Sequence, residues 1–225
     1  KLIKENADYG IDKKSILAEV TPSTKIIYIA NPNNPTGTYL SRAEIVDLLN
    51  KLPKHIVVVI DGAYAEYVLK DDYDSGFSLT EEFENIILTR TFSKVYGLAG
   101  LRIGWCYSSE KVALILNKVK GPFNTQTLSQ EIAMLALEDK AYLKEVVDNN
   151  HKIKKWFEDE LSKLDIKTRI SEGNFSFIET SEKKAKEIST HLTNEGIIIC
   201  QLDSYGLPNC LRVTIGTKEE MMATI

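Results

Sequence analysis

Lys25 to Tyr64 reads KIIYIANPNNPTGTYLSRAEIVDLLNKLPKHIVVVIDGAY, and this stretch decides the fold. Its two apolar runs, Lys25 to Ala30 and His55 to Ile60, are short and β-branched, and polar or turn-forming residues follow each, as buried strands require. Between them Ser41 and Glu44 have the spacing of a capping box, and Leu40 and Ile45 that of a hydrophobic staple. Ile45, Val46, Leu48 and Leu49 continue an apolar helical face. Strand, helix and strand make a βαβ unit. Strands that are apolar throughout predict burial on both faces, hence a mostly parallel sheet covered by helices in an α/β fold.

Downstream, Asn85 to Leu88 (NIIL) reads as a third strand of the same kind. From Lys140 to about Leu164 the pattern is one long polar helix with apolar positions at Leu143, Val146, Val147, Ile153, Trp156, Phe157 and Leu161, expected to join two domains. Beyond it Phe175 to Ile178, Gly196 to Gln201 and Leu211 to Ile215 read as strands, and Lys183 to Leu192 as a helix. The expected division is a partial large domain over residues 1–140 and a small C-terminal α/β domain over 141–225. Thr217 and Glu220 form a second capping box, opening a helix that the sequence leaves after about two turns. With Lys1 beginning in the middle of a polar stretch, the sequence reads as a piece cut at both ends.

Composition removes several classes of function. The 225 residues carry 28 basic and 32 acidic side chains, a net charge of −4, and are enough to bury roughly 70% of the unfolded surface, so global disorder is excluded. No apolar run approaches the ~20 residues of a membrane span and no signal peptide opens the chain, so a cytoplasmic protein without a membrane partner is expected. No Lys/Arg cluster offers a footprint for nucleic acid. Cys106, Cys200 and Cys210 are odd in number without a C-x-x-C pair, and His55, His151 and His191 lack ligand spacing. Neither disulfides nor a metal are expected. Dinucleotide and P-loop signatures are absent.

Chemistry gathers where the strands end. In open parallel sheets ligands sit beyond the carboxyl ends of the strands. The first strand runs into Asn31-Pro32-Asn33-Asn34-Pro35-Thr36-Gly37, the second into Asp61 and Tyr64, and the third into Thr89-Arg90-Thr91-Phe92-Ser93-Lys94. If these strands are neighbours, one pocket holds an amide, a carboxylate, a phenol, hydroxyls and an amine. Arg102 follows, among Gly97, Gly100 and Gly104, which are expected to permit close backbone packing. Taken singly, a lysine after a strand is a solvated residue and a strand-terminal aspartate caps a turn. Their combination is what points to a site.

NPNNPTG, IDGAY and TRTFSKVYGLAGLRIGW (Thr89 to Trp105), in this order and spacing, resemble the fold-type I pyridoxal-phosphate (PLP) aminotransferases, most closely the histidinol-phosphate aminotransferases. YGLPNCLRVTIGT (Tyr205 to Thr217) looks like the same group, and the resemblance runs from about Thr21 to the end. It implies the PLP-dependent transferase fold type I, PLP as cofactor and a homodimer with active sites at the subunit interface. The implied reaction is transamination between an amino donor and a 2-oxo acid, histidinol phosphate and 2-oxoglutarate in histidine biosynthesis. Aromatic or other amino acids are alternative donors, and a PLP lyase such as a threonine-phosphate decarboxylase is an alternative activity. A chain that has lost catalysis and serves as a binding module is a third reading, against which the intact Lys94 and Asp61 argue.

The resemblance also implies roles. Lys94 would hold PLP as a Schiff base and later move a proton. Asp61 would keep the pyridine nitrogen protonated, and Tyr64 and Asn34 would donate hydrogen bonds to the PLP phenolate oxygen. Thr91, Ser93 and Arg102 would bind the phosphate, two hydroxyls and a guanidinium being suited to a dianion. Arg212 would clamp the substrate's anionic group, and Asn124 and Asn174 lie where the family brings loops near the substrate. Trp105 and Trp156 read as core or interface aromatics.

Three departures bear on this. Where the family usually has a second arginine before the final strand, this chain has Cys200 and Gln201, and losing a contact to a charged group weakens binding by roughly 1.5 to 3 kcal/mol. Gly62 replaces a common acidic residue, with little consequence expected. The family's upstream segment, with a phosphate-binding turn, an aromatic stacked on the cofactor and a tyrosine lent by the partner subunit, has no counterpart in these 225 residues. Weak PLP binding by the chain alone is therefore expected.

Overall fold

A computed structural model describes residues 1–225. Two four-stranded sheets are present. The first holds β1 (Ile26–Ala30), β2 (Val57–Asp61), β3 (Ile86–Thr91) and β4 (Gly104–Ser108) in that order. β1, β2 and β3 are parallel, and β4 is antiparallel to β3. The second runs β5 (Lys167–Arg169), β6 (Phe175–Glu179), β8 (Cys210–Thr214) and β7 (Cys200–Gln201), all antiparallel.

Helices cover the first sheet and connect it to the second. α1 (Lys13–Ala18), α2 (Arg42–Lys51) and α3 (Phe77–Glu82) accompany β1 to β3, α4 (Glu110–Val119) and α5 (Thr127–Glu138) follow β4, and α6 (Lys140–Lys163) leads to the second sheet. α7 (Glu182–Asn194) and α8 (Lys218–Thr224) belong with the second sheet.

The local rules that predicted α2 operate as expected. Glu44 N–H donates to Ser41 Oγ at 3.3 Å while Ser41 N–H donates to Glu44 Oε2 at 3.0 Å. Leu40 and Ile45 meet in one core with Ile29, Leu48, Leu49, Ile56, Val58, Ile60, Ile86 and Leu88, which seals α2 onto the sheet. The same reciprocal box opens α8 at Thr217 and Glu220.

α6 spans both sheets. Its first half sends Val147 into a cluster with Tyr64, Tyr67, Val95 and Phe175, and His151 Nε2 lies 2.6 Å from the Tyr67 carbonyl oxygen. Its second half buries Phe157 and Leu161 with Ile178, Leu211, Val213 and Met221. No helix is long and apolar enough to cross a membrane.

Four expectations need correction. β1 is an edge strand, and Ile26 and Tyr28 are 51% and 74% exposed, so burial on both faces holds for the middle of β2 and not for β1. β3 continues through Thr89, Arg90 and Thr91, because these residues pair with Cys106, Trp105 and Gly104 of β4. Of Gly196 to Gln201 only Cys200 and Gln201 pair with β8, and Ile198 stands 87% exposed. Gly100 has nothing near a would-be Cβ, whereas a Cβ on Gly104 would lie 2.6 Å from the Arg90 carbonyl oxygen, so the close-packing reading holds for Gly104 alone of these two.

Candidate functional site at the ends of the parallel strands

Asp61 closes β2, level with Ala30 of β1 and Thr89 of β3, so the loops leaving these strands open on the same side. The Asp61 carboxylate is exposed and accepts a hydrogen bond from the Ala63 N–H at 3.1 Å. The chain then enters a short 3-10 turn, Ala65–Tyr67, just after Tyr64, which is buried beside Tyr67, Val95, Val147 and Phe175.

Lys94 follows β3 by three residues, held in a turn by Gly97 N–H on the Lys94 carbonyl and Leu98 N–H on the Phe92 carbonyl, both at 2.9 Å. Its Nζ lies 5.1 Å from the centre of the Tyr64 ring. Thr91 Oγ1 accepts the Ser93 N–H at 3.0 Å. Arg102, in the left-handed region at φ +49°, directs Nη1 to the Ala99 carbonyl at 2.7 Å and to Ser93 Oγ at 3.5 Å. Thr91, Ser93 and Arg102 therefore surround one exposed turn beside Lys94.

The NPNNPTG loop is built around buried Asn31, whose side chain accepts from Leu40 N–H at 2.7 Å and donates to Leu40 O at 3.2 Å. Gly37 N–H donates to Asn33 O, and Asn33 N–H to Thr38 O, each at 2.7 Å. This closes the loop and holds Asn34 outward, where its Oδ1 accepts a hydrogen bond from Arg212 Nη1.

Arg212 lies in the middle of β8, flanked in register by Phe177 on β6 and Cys200 on β7. Its guanidinium sits 5.3 Å from the centre of the Phe175 ring. Phe175 in turn meets Tyr64 edge to face, with centroids 5.3 Å apart. Lys94, Tyr64, Phe175, Arg212 and Asn34 thus form a continuous line from the first sheet to the second and back. Arg212 Nε is buried without a partner, a free donor inside this line.

The remaining expected residues are less central. Asn174 precedes Phe175, near Tyr67, whose phenol burial pushes up to about 12. Asn124 is exposed between α4 and α5 and hydrogen-bonds to none of these groups. Trp105 is half-buried and stacks on Phe77, and Trp156 packs at the margin of the second core. The Cys200 thiol is half-buried beside Arg212 and supplies no second cation.

Sequence reasoning missed Arg90 and Glu66. Arg90 is 6% exposed, donates to the Thr89 carbonyl at 2.9 Å and to the Ser75 carbonyl, and lies 3.7 Å from Glu66 Oε1. Burial raises the Glu66 pKa, with the Arg90 charge pulling it back. The alternation Ile86, Leu88, Arg90 along β3 is the signal that places Arg90 inside. The Arg90 guanidinium lies against Gly62. A Cβ there would lie 1.9 Å from Arg90 Nη1, so the absent side chain is the space the guanidinium fills.

Comparison with known proteins agrees with this layout. The chain is 43% identical over 221 residues to a histidinol-phosphate aminotransferase of Nitrobacter hamburgensis, covering 97% of this chain and 60% of that protein. It is 41% identical over 221 residues to one of Rhodopseudomonas palustris, with the same coverage. The crystal structure of histidinol-phosphate aminotransferase from Sinorhizobium meliloti, in complex with pyridoxal-5'-phosphate, superposes with a TM-score of 0.90 at 29% identity, covering 99% of this chain and 61% of that one. The chain therefore spans about 60% of the length of these curated relatives. A family model, aminotransferase class I and II, matches residues 2–225, which include both sheets and every residue of the line from Lys94 to Arg212, and the chain belongs to that family.

Proposed function

We propose that this chain forms most of a PLP-dependent histidinol-phosphate aminotransferase, which passes the amino group of histidinol phosphate to 2-oxoglutarate and leaves imidazole acetol phosphate and glutamate. The observation that carries the reading is the line Lys94, Tyr64, Phe175, Arg212 and Asn34, with Asp61 at the end of the neighbouring strand.

The residues fit the cofactor. Asp61 offers an exposed acceptor for a protonated ring nitrogen, and Thr91, Ser93 and Arg102 offer hydroxyls and a guanidinium for a phosphate dianion. The unpartnered buried Arg212 Nε is a donor that an anionic ligand would satisfy. Bound PLP supplies an electron sink for charge developing on the substrate carbon.

The chain's own groups do the rest. Lys94 Nζ would hold the cofactor at rest and, once freed as the substrate's amine takes its place, would accept the proton from the amino-bearing carbon. Tyr64 would donate a hydrogen bond to the PLP phenolate oxygen. Asn34, whose Oδ1 is engaged by Arg212, retains its amide N–H groups for the same atom. Arg212 holds the substrate's anionic group, and Asn174, in the loop before Phe175, is taken as a further substrate contact. We take residues 1–140 as part of the PLP-binding domain, 141–225 as the small domain, and the functional protein as a cytoplasmic homodimer. Cys200 at the position beside Arg212 favours a second reading of the donor, an aromatic or other amino acid whose singly charged carboxylate needs fewer cations than a phosphate dianion.

The test, on the full-length protein that contains this chain, is an absorbance spectrum with PLP, then borohydride reduction and peptide mapping, with Lys94→Ala as control and glutamate production from histidinol phosphate as the assay. A pyridoxyl adduct confined to Lys94 and glutamate release support the reading. An adduct elsewhere, or an adduct at Lys94 without transfer from any amino donor, overturns it, and no adduct at all overturns it too.

A further inference from the structure

Lys154, like Arg90, is a buried cation that the reaction does not use. It lies 8% exposed on α6, and its ammonium donates to a backbone carbonyl, that of Ser171. Burying an ammonium is costly unless a specific partner holds it, so its placement needs a reason.

The surroundings supply one. Ser171 Oγ donates to the Phe175 carbonyl at 2.7 Å, which folds residues 171–175 into a tight turn. This turn also meets the NPNNPTG loop, where Glu172 N–H donates to the Gly37 carbonyl at 2.8 Å. A Cβ on Gly37 would fall 2.0 Å from Ser171 Oγ and 2.7 Å from Ser171 Cα, so the two segments are in direct backbone contact. One end of this assembly carries Asn34 and the other carries Phe175, the two residues that touch the Arg212 guanidinium.

We propose that Lys154 is a positioning residue, a latch whose ammonium pins the 171–175 turn between α6 and Gly37 and thereby fixes Asn34 and Phe175 around Arg212. It acts on how the substrate's anionic group is held, not on the proton transfer at Lys94. The carboxylates around it, Glu158 one turn on and Glu172 in the turn itself, with Lys70 at 3.4 Å from Glu172, keep the pocket charged in both senses. Burial depresses the Lys154 pKa while both glutamates oppose that shift. The part of this inference that concerns substrate rests on the function proposed above.

The test compares Lys154→Met, Lys154→Gln and Lys154→Arg in the PLP-loaded protein, with hydrogen exchange of the peptides covering 31–38 and 171–175 as the readout independent of activity. Removing the donor is expected to speed exchange in those two peptides by about tenfold, the scale of one hydrogen bond to a charged group, and to leave β3 unchanged. KM for histidinol phosphate should rise by about tenfold with kcat within about twofold, and Lys154→Arg should restore both readouts. Unchanged exchange and KM in a folded variant would overturn the latch. So would exchange raised evenly over the whole chain with no rescue by arginine, which marks a general structural role. If Met does not fold, Gln, which keeps a neutral donor, decides by the same two readouts. If the parent protein transfers no amino group, the functional reading fails, while the exchange comparison still judges the latch.

Discussion

The two sheets hold their functional groups in different ways. In the first, Asp61, Lys94 and Arg102 stand at or beyond the ends of β2 and β3, exposed, and are kept in place by turn hydrogen bonds. In the second, Arg212 is a mid-strand residue with ladder neighbours on both sides, and its direction follows from the alternation of the strand. Loop ends place many different groups around one point, at the expense of individual rigidity. A mid-strand arginine offers one group in a fixed position. The difference predicts that lesions in the first sheet's loops remove chemistry or the loop itself, and lesions in the second weaken holding.

The largest effect is expected at Lys94. On the proposed function Lys94→Ala would remove both the anchor and the base, and single-turnover amino transfer should fall by about a thousandfold, within the range for losing a positioned general acid–base group. The melting temperature should barely move, because the side chain is exposed. A large loss of stability in this variant would contradict the division between chemistry and support. Gly37→Ala comes next and acts oppositely. Its φ of +77° and the contact with Ser171 leave no room for a methyl group, so about 2 to 4 kcal/mol of stability should be lost, read from denaturant midpoints. Arg212→Met should leave the spectrum of the loaded protein intact and raise KM for histidinol phosphate by roughly ten- to a hundredfold. An equal fall in kcat and kcat/KM would instead show that Arg212 acts in the transition state, and the contrast between the sheets would fail.

The sequence carried much of this because the decisive signals are local. The capping boxes at Ser41 and Thr217 are three-residue patterns whose geometry does not depend on the rest of the fold, and both form. Buried runs such as Val58 to Ile60 declare themselves by composition. What stayed hidden depends on partners. β4 reads GWCYS, half-exposed and without an apolar run, and becomes a strand because β3 lies beside it. Ile197 to Ile199 has strand composition but remains outside the ladder. α4 has the apolar spacing of a covering helix at Val112, Ile115, Leu116 and Val119 but buries none of its residues, and α5 buries only Ser129 and Ala133. In the site, the neighbouring strand ends that carry Asp61 and, past Thr91, Lys94 were legible. The Arg90–Glu66 pair and the Lys154 latch were not, since each joins residues distant in sequence through a backbone carbonyl or an absent Cβ.

The smallest expected effect lies in the seam between the sheets, at Glu158. Its carboxylate accepts the Ser176 hydroxyl at 2.8 Å, and burial raises its pKa above the ordinary glutamate value, with Ser176 and the Lys154 charge opposing. A group whose folded pKa is raised contributes stability that is fully present below its unfolded pKa, about 4.3, and is lost as pH rises through the folded value. Glu158→Gln keeps an acceptor for Ser176 and mimics the protonated form at every pH. The variant and the parent should therefore melt together near pH 4, and the variant should gain on the parent as pH rises from there toward 7. The gain should reach a plateau once Glu158 is ionised in both states. If the parent is instead the more stable at neutral pH, attraction to Lys154 outweighs desolvation, and the seam is held by charge as firmly as the loops of the first sheet are held by their hydrogen bonds.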